Sequence, residues 1–242
     1  MRYGILSDIH ANLEAYEAVI SALKEEQLDK LIIVGDIVGY GADPKECISL
    51  TKSLSAGIVC GNHARSAAGF MDVNWFNDYA KKAVLWTQGV LSEEEKQFLR
   101  EPGLIFKDEN IIAVHGSLDN PSDFNYIMGI NDAEVTFLKM DKRLCFIGHS
   151  HRPMIFAKGN MLNIEVIFEQ EIRLEKERQY IINIGSVGQP RDGDNRASYA
   201  VYDTERQEVS IKRVKYNIRK ARDKILEAGL PEIFAYRLSE GR

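Results

Sequence analysis

Residues 1–36 read MRYGILSDIHANLEAYEAVISALKEEQLDKLIIVGD, and this stretch decides the fold class. Arg2–Ser7 is an apolar run of strand length that ends on Asp8. Asn12 stands where a helix N-cap belongs. Leu13, Tyr16, Ile20 and Leu23, with Val19 beside them, then recur at helical spacing. Lys30–Val34 is a second strand, continuously apolar as in a sheet covered on both faces, and it ends on Gly35-Asp36. Strand, helix and strand in this order predict an α/β fold that opens with parallel strands.

Working outward, Pro44 opens a helix to about Leu54, and Ala56–Cys60 is a third strand. Phe70–Leu99 reads as helices, with a Ser92/Glu95 capping-box signature and a stop at Pro102-Gly103. This makes a helical insert around residues 70–101. Ile111–Val114 is a fourth strand, Asp132–Met140 a helix and Leu144–Ile147 a fifth strand. The pattern then turns antiparallel. Met154–Ala157 and Leu162–Phe168 flank a turn at Lys158-Gly159-Asn160, and Tyr180–Ile184, Ala197–Tyr202 and Val209–Val214 follow as strands, with a turn at Asp203–Gln207. A final helix at about 217–228 stops at Gly229-Leu230-Pro231. Two stacked sheets with helices outside, or one mixed sheet, fit this order. The 242 residues are read as one domain, 1–242, because no linker is long enough to divide them.

Charge narrows the function. With 31 Lys+Arg against 36 Asp+Glu the net charge is −5, which gives no general attraction to nucleic acid or to a membrane surface. The basic run Lys212–Lys224 is then best read as a solvated helix face. Three cysteines without a CxxC pair argue against a disulfide framework and for a reducing compartment, with Cys60 and Cys145 as small core residues. Apolar runs such as Leu31–Val34 are too short to span a bilayer, and the first one reaches Asp8 too soon for a signal peptide. The expected location is the cytoplasm of a microbe.

Five segments place polar residues directly after an apolar strand run. They are Ser7-Asp8-Ile9-His10, Gly35-Asp36, Gly61-Asn62-His63, His115-Gly116 and Gly148-His149-Ser150-His151. Singly, each is an ordinary turn or a structural histidine. Together they use all five histidines of the chain, and in an open α/β sheet strand ends of this kind form the ligand crevice. Oxygen and nitrogen donors without thiolate suit Mn, Fe, Zn or Co. Alternation in Asp8-x-His10 and His149-x-His151 predicts that each pair projects to one side of an extended backbone and grips one ion.

This order of motifs, DxH, GD, GNH, H and GHxH, resembles the calcineurin-like metallophosphoesterase superfamily. Gly185-Ser186-Val187-Gly188-Gln189-Pro190-Arg191 and the closing Arg237-Leu238-Ser239-Glu240-Gly241-Arg242 look like its small prokaryotic phosphodiesterase-like branch. The resemblance implies a two-sheet αββα sandwich and two divalent metal ions, drawn from Mn, Fe, Zn, Ni or Co. It places Asp8, His10 and His151 on the first ion, Asp36 between the two, and Asn62, His115 and His149 on the second. It assigns His63 to the scissile phosphate. Two ions about 3.5–4 Å apart would lower the pKa of a bridging water, whose hydroxide attacks phosphorus while His63 aids the leaving group.

The expected activity is a binuclear phosphoesterase, foremost a phosphodiesterase acting on a small phosphorylated metabolite. The alternatives are a dinucleoside polyphosphate hydrolase or protein phosphatase on the same site, or a non-catalytic binding module. The family pattern has an acidic residue after the GNH histidine; here Ala64 stands there, which removes a group that would favour imidazolium at His63. Arg65 and Arg191 are candidate substrate contacts. Ser7 and Ser150 are read as backbone-bonding residues, not nucleophiles. Trp75, Phe76, Tyr79 and Trp86 could form a substrate-side wall or cap, but their spacing favours a buried helix face or a contact between copies of a homo-oligomer.

Overall fold

The computed structural model describes residues 1–159 and 163–242. Its strands are apolar on both sides because each is covered twice. Tyr3 and Ile5 of the first strand pack between two sheets, together with Ile32, Ile111, Phe146 and Ile182. The alternate residue Leu6, with Ile33 of the next strand, faces outward against Ala15, Val19 and Leu23 of the first helix. The two-residue period therefore sends successive side chains into two different cores.

Among the described residues twelve strands follow in chain order: β1 (Arg2–Leu6), β2 (Lys30–Val34), β3 (Ala56–Val59), β4 (Ile105–Lys107), β5 (Ile111–Val114), β6 (Leu144–Ile147), β7 (Met154–Lys158), β8 (Ile164–Ile167), β9 (Glu171–Arg173), β10 (Gln179–Asn183), β11 (Ala197–Asp203) and β12 (Glu208–Val214). The helices are α1 (Leu13–Lys24), α2 (Pro44–Ser53), α3 (Asn62–Ala67), α4 (Asp78–Val90), α5 (Glu93–Arg100), α6 (Ile130–Lys139), α7 (Ile218–Glu227) and α8 (Glu232–Glu240). One sheet runs β3-β2-β1-β11-β12-β9 and the other β4-β5-β6-β10-β7-β8. Helix α1 covers the outer face of the first sheet, and Ala133 and Phe137 of α6 cover the second. This is the αββα layering, with mixed sheets: β1, β2 and β3 are parallel, as are β5, β6 and β10.

Local signals act as the sequence predicts. Asn12 accepts from Ala15 N, Pro44 is in the first turn of α2, and Ser92 with Glu95 forms the capping box of α5. The hairpin β7–β8 pairs Lys158 with Ile164; of its expected turn and flank, Asn160 and Leu162 lie outside the described residues. Cys47, Cys60 and Cys145 are buried free thiols. Lys224 of the basic run meets Glu14 and Asp43, and Lys212 meets Glu26, so part of that run is tied down by carboxylates. Among the described residues no helix is long and apolar enough to cross a membrane.

The aromatic expectation for the insert needs correcting. Trp75 is 82% exposed and Tyr79 53% exposed. Trp75 belongs to a short 3-10 turn, Val73–Trp75, and not to a helix face, because Asn77 starts α4 only afterwards. Trp86 packs against the core of α7 and α8 as predicted. Phe76 stands 4.7 Å from the His63 ring. The sequence reading also ends too early. Beyond the Gly229-Leu230-Pro231 stop the chain forms α8, which packs on Tyr40 through Phe234.

Candidate metal centre

The parallel strands of both sheets end at one edge, and the five polar segments follow five of those ends. Asp8 and His10 come after β1, Asp36 after β2, Asn62 and His63 after β3, His115 after β5, and His149 and His151 after β6. All eight side chains belong to buried residues.

The backbone route to this convergence is not the one expected. Asp8 and His10 have φ of 54° and 50°, and His149 and His151 have φ of 66° and 60°. These are left-handed turns, not extended alternation, and Asp36 (φ 49°) shares the conformation. Non-glycine residues take it at a cost that the surrounding structure must cover. Packing at this edge leaves no slack for larger residues. A Cβ at Gly148 would run into Ser7 Oγ and Asp8 Oδ2.

Three-donor groups form. Asp8, His10 and His151 make one, and Asp36, His115 and His149 make another; His10, Asp36 and His63 lie across them. His149 and His151 thus belong to different groups, so that pair does not act as one grip. The groups abut, with His115 Nε2 3.8 Å from Asp8 Oδ1 and His10 Nε2 4.0 Å from Asp36 Oδ2.

Each carboxylate keeps one oxygen for the centre. Asp8 Oδ2 accepts from Ser7 Oγ at 2.6 Å and from His149 N at 2.9 Å, which leaves Oδ1 buried and unpartnered. Asp36 Oδ1 accepts from His63 N at 2.9 Å and Ala64 N at 3.3 Å, which leaves Oδ2 buried without a hydrogen bond, 3.1 Å from His115 Nε2. Asn62 Oδ1 is also buried without a partner. The imidazoles are oriented in the same way. His115 Nδ1 donates to Val34 O at 2.8 Å, and His151 Nδ1 donates to Gln189 O at 2.6 Å, so both turn Nε2 inward. Buried unpaired acceptors gathered on one point, with Asp8, Asp36, His115 and His151 aimed by outer hydrogen bonds, fit divalent cations.

The titration pattern has the same origin. Burial raises the pKa of Asp8, but His151 and His115 more than offset it and hold the group well below the carboxylate range. Burial lowers His115, yet Asp36 and Asp8 bring it up to about 9. His149 is pulled to about 3 by burial and then by the His115 charge, and His151 to about 4 by burial and then by Arg191. Burial carries His63 well below its ordinary value, and the pull of Asp36 does not make up for it. Ala64 is packed in the outer core beside α1, so position 64 supplies no charge to His63.

A sequence profile for the calcineurin-like phosphoesterase superfamily domain matches residues 1–207. The chain belongs to this superfamily. It is a phosphoester hydrolase of the metallophosphoesterase type. An uncharacterized protein of Methanocaldococcus jannaschii is 40% identical over 244 residues, covering 99% of this chain and 98% of that one. The crystal structure of a metallophosphoesterase from Sphaerobacter thermophilus is 38% identical, covers 100% of this chain and 99% of that one, and has a TM-score of 0.86. A hypothetical protein of Pyrococcus horikoshii, at 23% identity, covers 100% of this chain and 98% of its own and shares the fold with a TM-score of 0.80.

Around the metallophosphoesterase centre lie residues that the motifs did not single out. The Tyr40 ring is 4.4 Å from both His10 and His63. Tyr126 stacks on His149 at 3.9 Å. Asn183 Nδ2 donates to Gly148 O and Ser150 Oγ, at 2.7 and 2.9 Å, and so pins the loop that carries both late histidines. The loop 185–191 is tied to the first motif by Ser186 Oγ and Gly188 N, which donate to Asp8 O at 2.8 and 2.9 Å. Asn12, besides capping α1, donates to Gly188 O at 2.8 Å. Ser7 and Ser150 bond within this framework, to Asp8 and to the Arg152 carbonyl.

His63 and His149 face a groove of about 790 Å³ whose walls include Tyr40, Trp75, Phe76 and Tyr126. Arg191 arches over Tyr40, its guanidinium carbon 5.5 Å from the ring centroid. Arg65 is half-buried in α3 and is not among the groove's lining residues.

Proposed function

We propose that this chain is a binuclear metal-dependent phosphodiesterase acting on a small phosphorylated metabolite, with residues 1–242 working as one domain. The observation that carries the reading is the pair of abutting donor groups with Asp8 Oδ1 and Asp36 Oδ2 left unpartnered between them. The single domain is supported by pairing across the whole chain, since β1 lies between β2 and β11.

Asp8, His10 and His151 would hold one ion and Asn62, His115 and His149 the other, with Asp36 shared. When bound, such ions supply a nucleophilic water at neutral pH and neutralise the phosphoryl charge. The chain's own residues do the rest. Asp8 and Asp36 offset ion charge. Val34 O and Gln189 O hold His115 and His151 in the tautomer that presents Nε2. His63, in the groove, meets the leaving oxygen and carries a proton to it. Burial lowers its pKa, which leaves it neutral in the metal-free, substrate-free chain. Arg191, over the Tyr40 ring, reaches the phosphoryl oxygens from the neighbouring cavity. The exposed aromatic side chains of the groove, Trp75 and Tyr126, receive an apolar leaving group.

The reading is tested by a screen of the manganese-reconstituted protein against mono- and diesters, cyclic nucleotides and dinucleoside polyphosphates. Hydrolysis of bis-p-nitrophenyl phosphate that depends on added metal is the expected result. Absence of turnover on every ester across Mn, Fe, Zn, Ni and Co would leave a binding module as the better reading.

A further inference from the structure

Helix α8 brings Arg237 and the chain's last residue, Arg242, against Arg152 and Arg191. These four arginines, with Asp192 and Gly193, line a cavity of about 580 Å³. Asp192 is its only side-chain carboxylate among the described lining residues, and it is taken by Arg213. Arg242 comes no nearer to a carboxylate than 3.6 Å, to Glu240. Neither Arg191 nor Arg237 has a carboxylate partner among the described residues. Arg191 Nη2 donates to Gln189 Oε1 at 2.9 Å, but its Nε is buried without any acceptor. Arg237 is half-buried, and burial and the Arg191 charge both work against its cation. Cations packed together without a counter-charge cost free energy, and an anion between them removes that cost.

The position of the cavity says which anion. Arg191 leans on Tyr40, and Tyr40 touches His10 and His63, so the cavity begins one side chain away from the metal centre. Phe234, one turn before Arg237, packs on the same tyrosine at 4.6 Å and fixes the helix there. Several guanidinium forks around one space suit a tetrahedral anion, which offers oxygens in more than one plane, better than a planar carboxylate. Arg237 and Arg242 lie beyond residue 207, where the match to the superfamily domain ends, while Arg152 and Arg191 lie within it.

We propose that the cavity is a second phosphate subsite, and that the substrate carries a second phosphoryl group adjacent to the scissile one, held by Arg191 and Arg237. The inference deepens the phosphoesterase reading and rests on it for the meaning of "scissile". Binding at the subsite can nevertheless be measured without catalysis.

The test is calorimetry on the full-length protein, stripped of metal and dialysed, with pyrophosphate and inorganic phosphate as probes. Wild type is expected to bind pyrophosphate at least about tenfold more tightly than phosphate. Arg237→Ala should lose roughly 10- to 100-fold in pyrophosphate affinity, the size expected for a charge-assisted contact. Arg237→Lys should recover part of it, and also covers the case in which the alanine variant fails to fold. In the manganese-loaded enzyme, ADP should have the higher kcat/KM over AMP, and Arg237→Lys should shrink that ratio by raising KM. Equal binding of the two probes, or pyrophosphate binding indifferent to position 237, overturns the subsite. If bis-p-nitrophenyl phosphate is hydrolysed while position 237 is silent, the subsite fails and the phosphoesterase reading stands. If pyrophosphate binding depends on Arg237 and no ester is turned over, the reverse holds.

Discussion

The Nε2 atoms of His10 and His151 face each other at 3.0 Å, with Asp8 Oδ1 3.5 Å from the first and 3.2 Å from the second. His151 donates its Nδ1–H to the Gln189 carbonyl, so in the neutral form its Nε2 offers only a lone pair. In the metal-free chain a neutral His10 can donate its Nε2–H to that lone pair. A divalent cation would take the place of that proton and meet Asp8 Oδ1 as well.

His151→Ala should therefore remove one ion and leave the other. Metal content should fall by one equivalent per chain, and turnover of an activated diester should drop by more than about 100-fold. A variant that kept full metal content would show that His151 plays no part in holding it.

His63→Gln separates chemistry from metal binding. His63 lies across both donor groups, yet its proposed work is at the substrate. Both ions should remain, while kcat falls roughly 10²- to 10⁴-fold, the range for a lost general acid. Near wild-type hydrolysis by this variant would remove His63 from the mechanism.

Much of this site is legible in the sequence because every donor follows a strand whose apolar run is unmistakable. Lys30–Val34, Ile111–Val114 and Leu144–Ile147 coincide with observed strands because both faces of each are buried. The short strands β4 and β9 escape notice, since Ile105 and Lys107, like Glu171 and Arg173, are exposed and carry no burial pattern. Helix α8 is missed because a Gly-Leu-Pro stop precedes it and its stability comes from tertiary packing on Tyr40, α4 and α7. Tyr40 and Tyr126 reach the centre through tertiary packing that no local period encodes. The left-handed backbone at Asp8 and His151 is hidden for the same reason: the cost is local and the compensation is not.

Acid should destabilise the metal-free protein well above the carboxylate range. His149 and His151 titrate at about 3 and about 4 when folded, below the ordinary 6.5. Between those values the unfolded chain binds the protons, so stability falls as pH drops from 6.5 towards 4. His115 works the other way. Its pKa of about 9 contributes stability below 6.5 that is lost as pH rises through 9. Thermal melting of the metal-stripped chain should thus show a maximum Tm near neutrality, and a Tm that climbs steadily on acidification would contradict this assignment.

Gly148→Ala should injure the centre through volume alone. The added methyl meets Ser7 and Asp8, and both are fully buried and fixed. Overpacking of this kind costs about 1–3 kcal/mol, and the displaced Asp8 should weaken binding of the first ion. Denaturant unfolding, with metal titration beside it, would detect both effects; an unchanged midpoint and affinity would mean that the loop yields freely.

The most direct test is the metal stoichiometry of the reconstituted chain, read by elemental analysis together with its rate on bis-p-nitrophenyl phosphate as manganese is titrated in. Two equivalents per chain, with turnover rising only as the second site fills, are predicted. A single equivalent at full activity, or hydrolysis indifferent to metal, would contradict the binuclear centre.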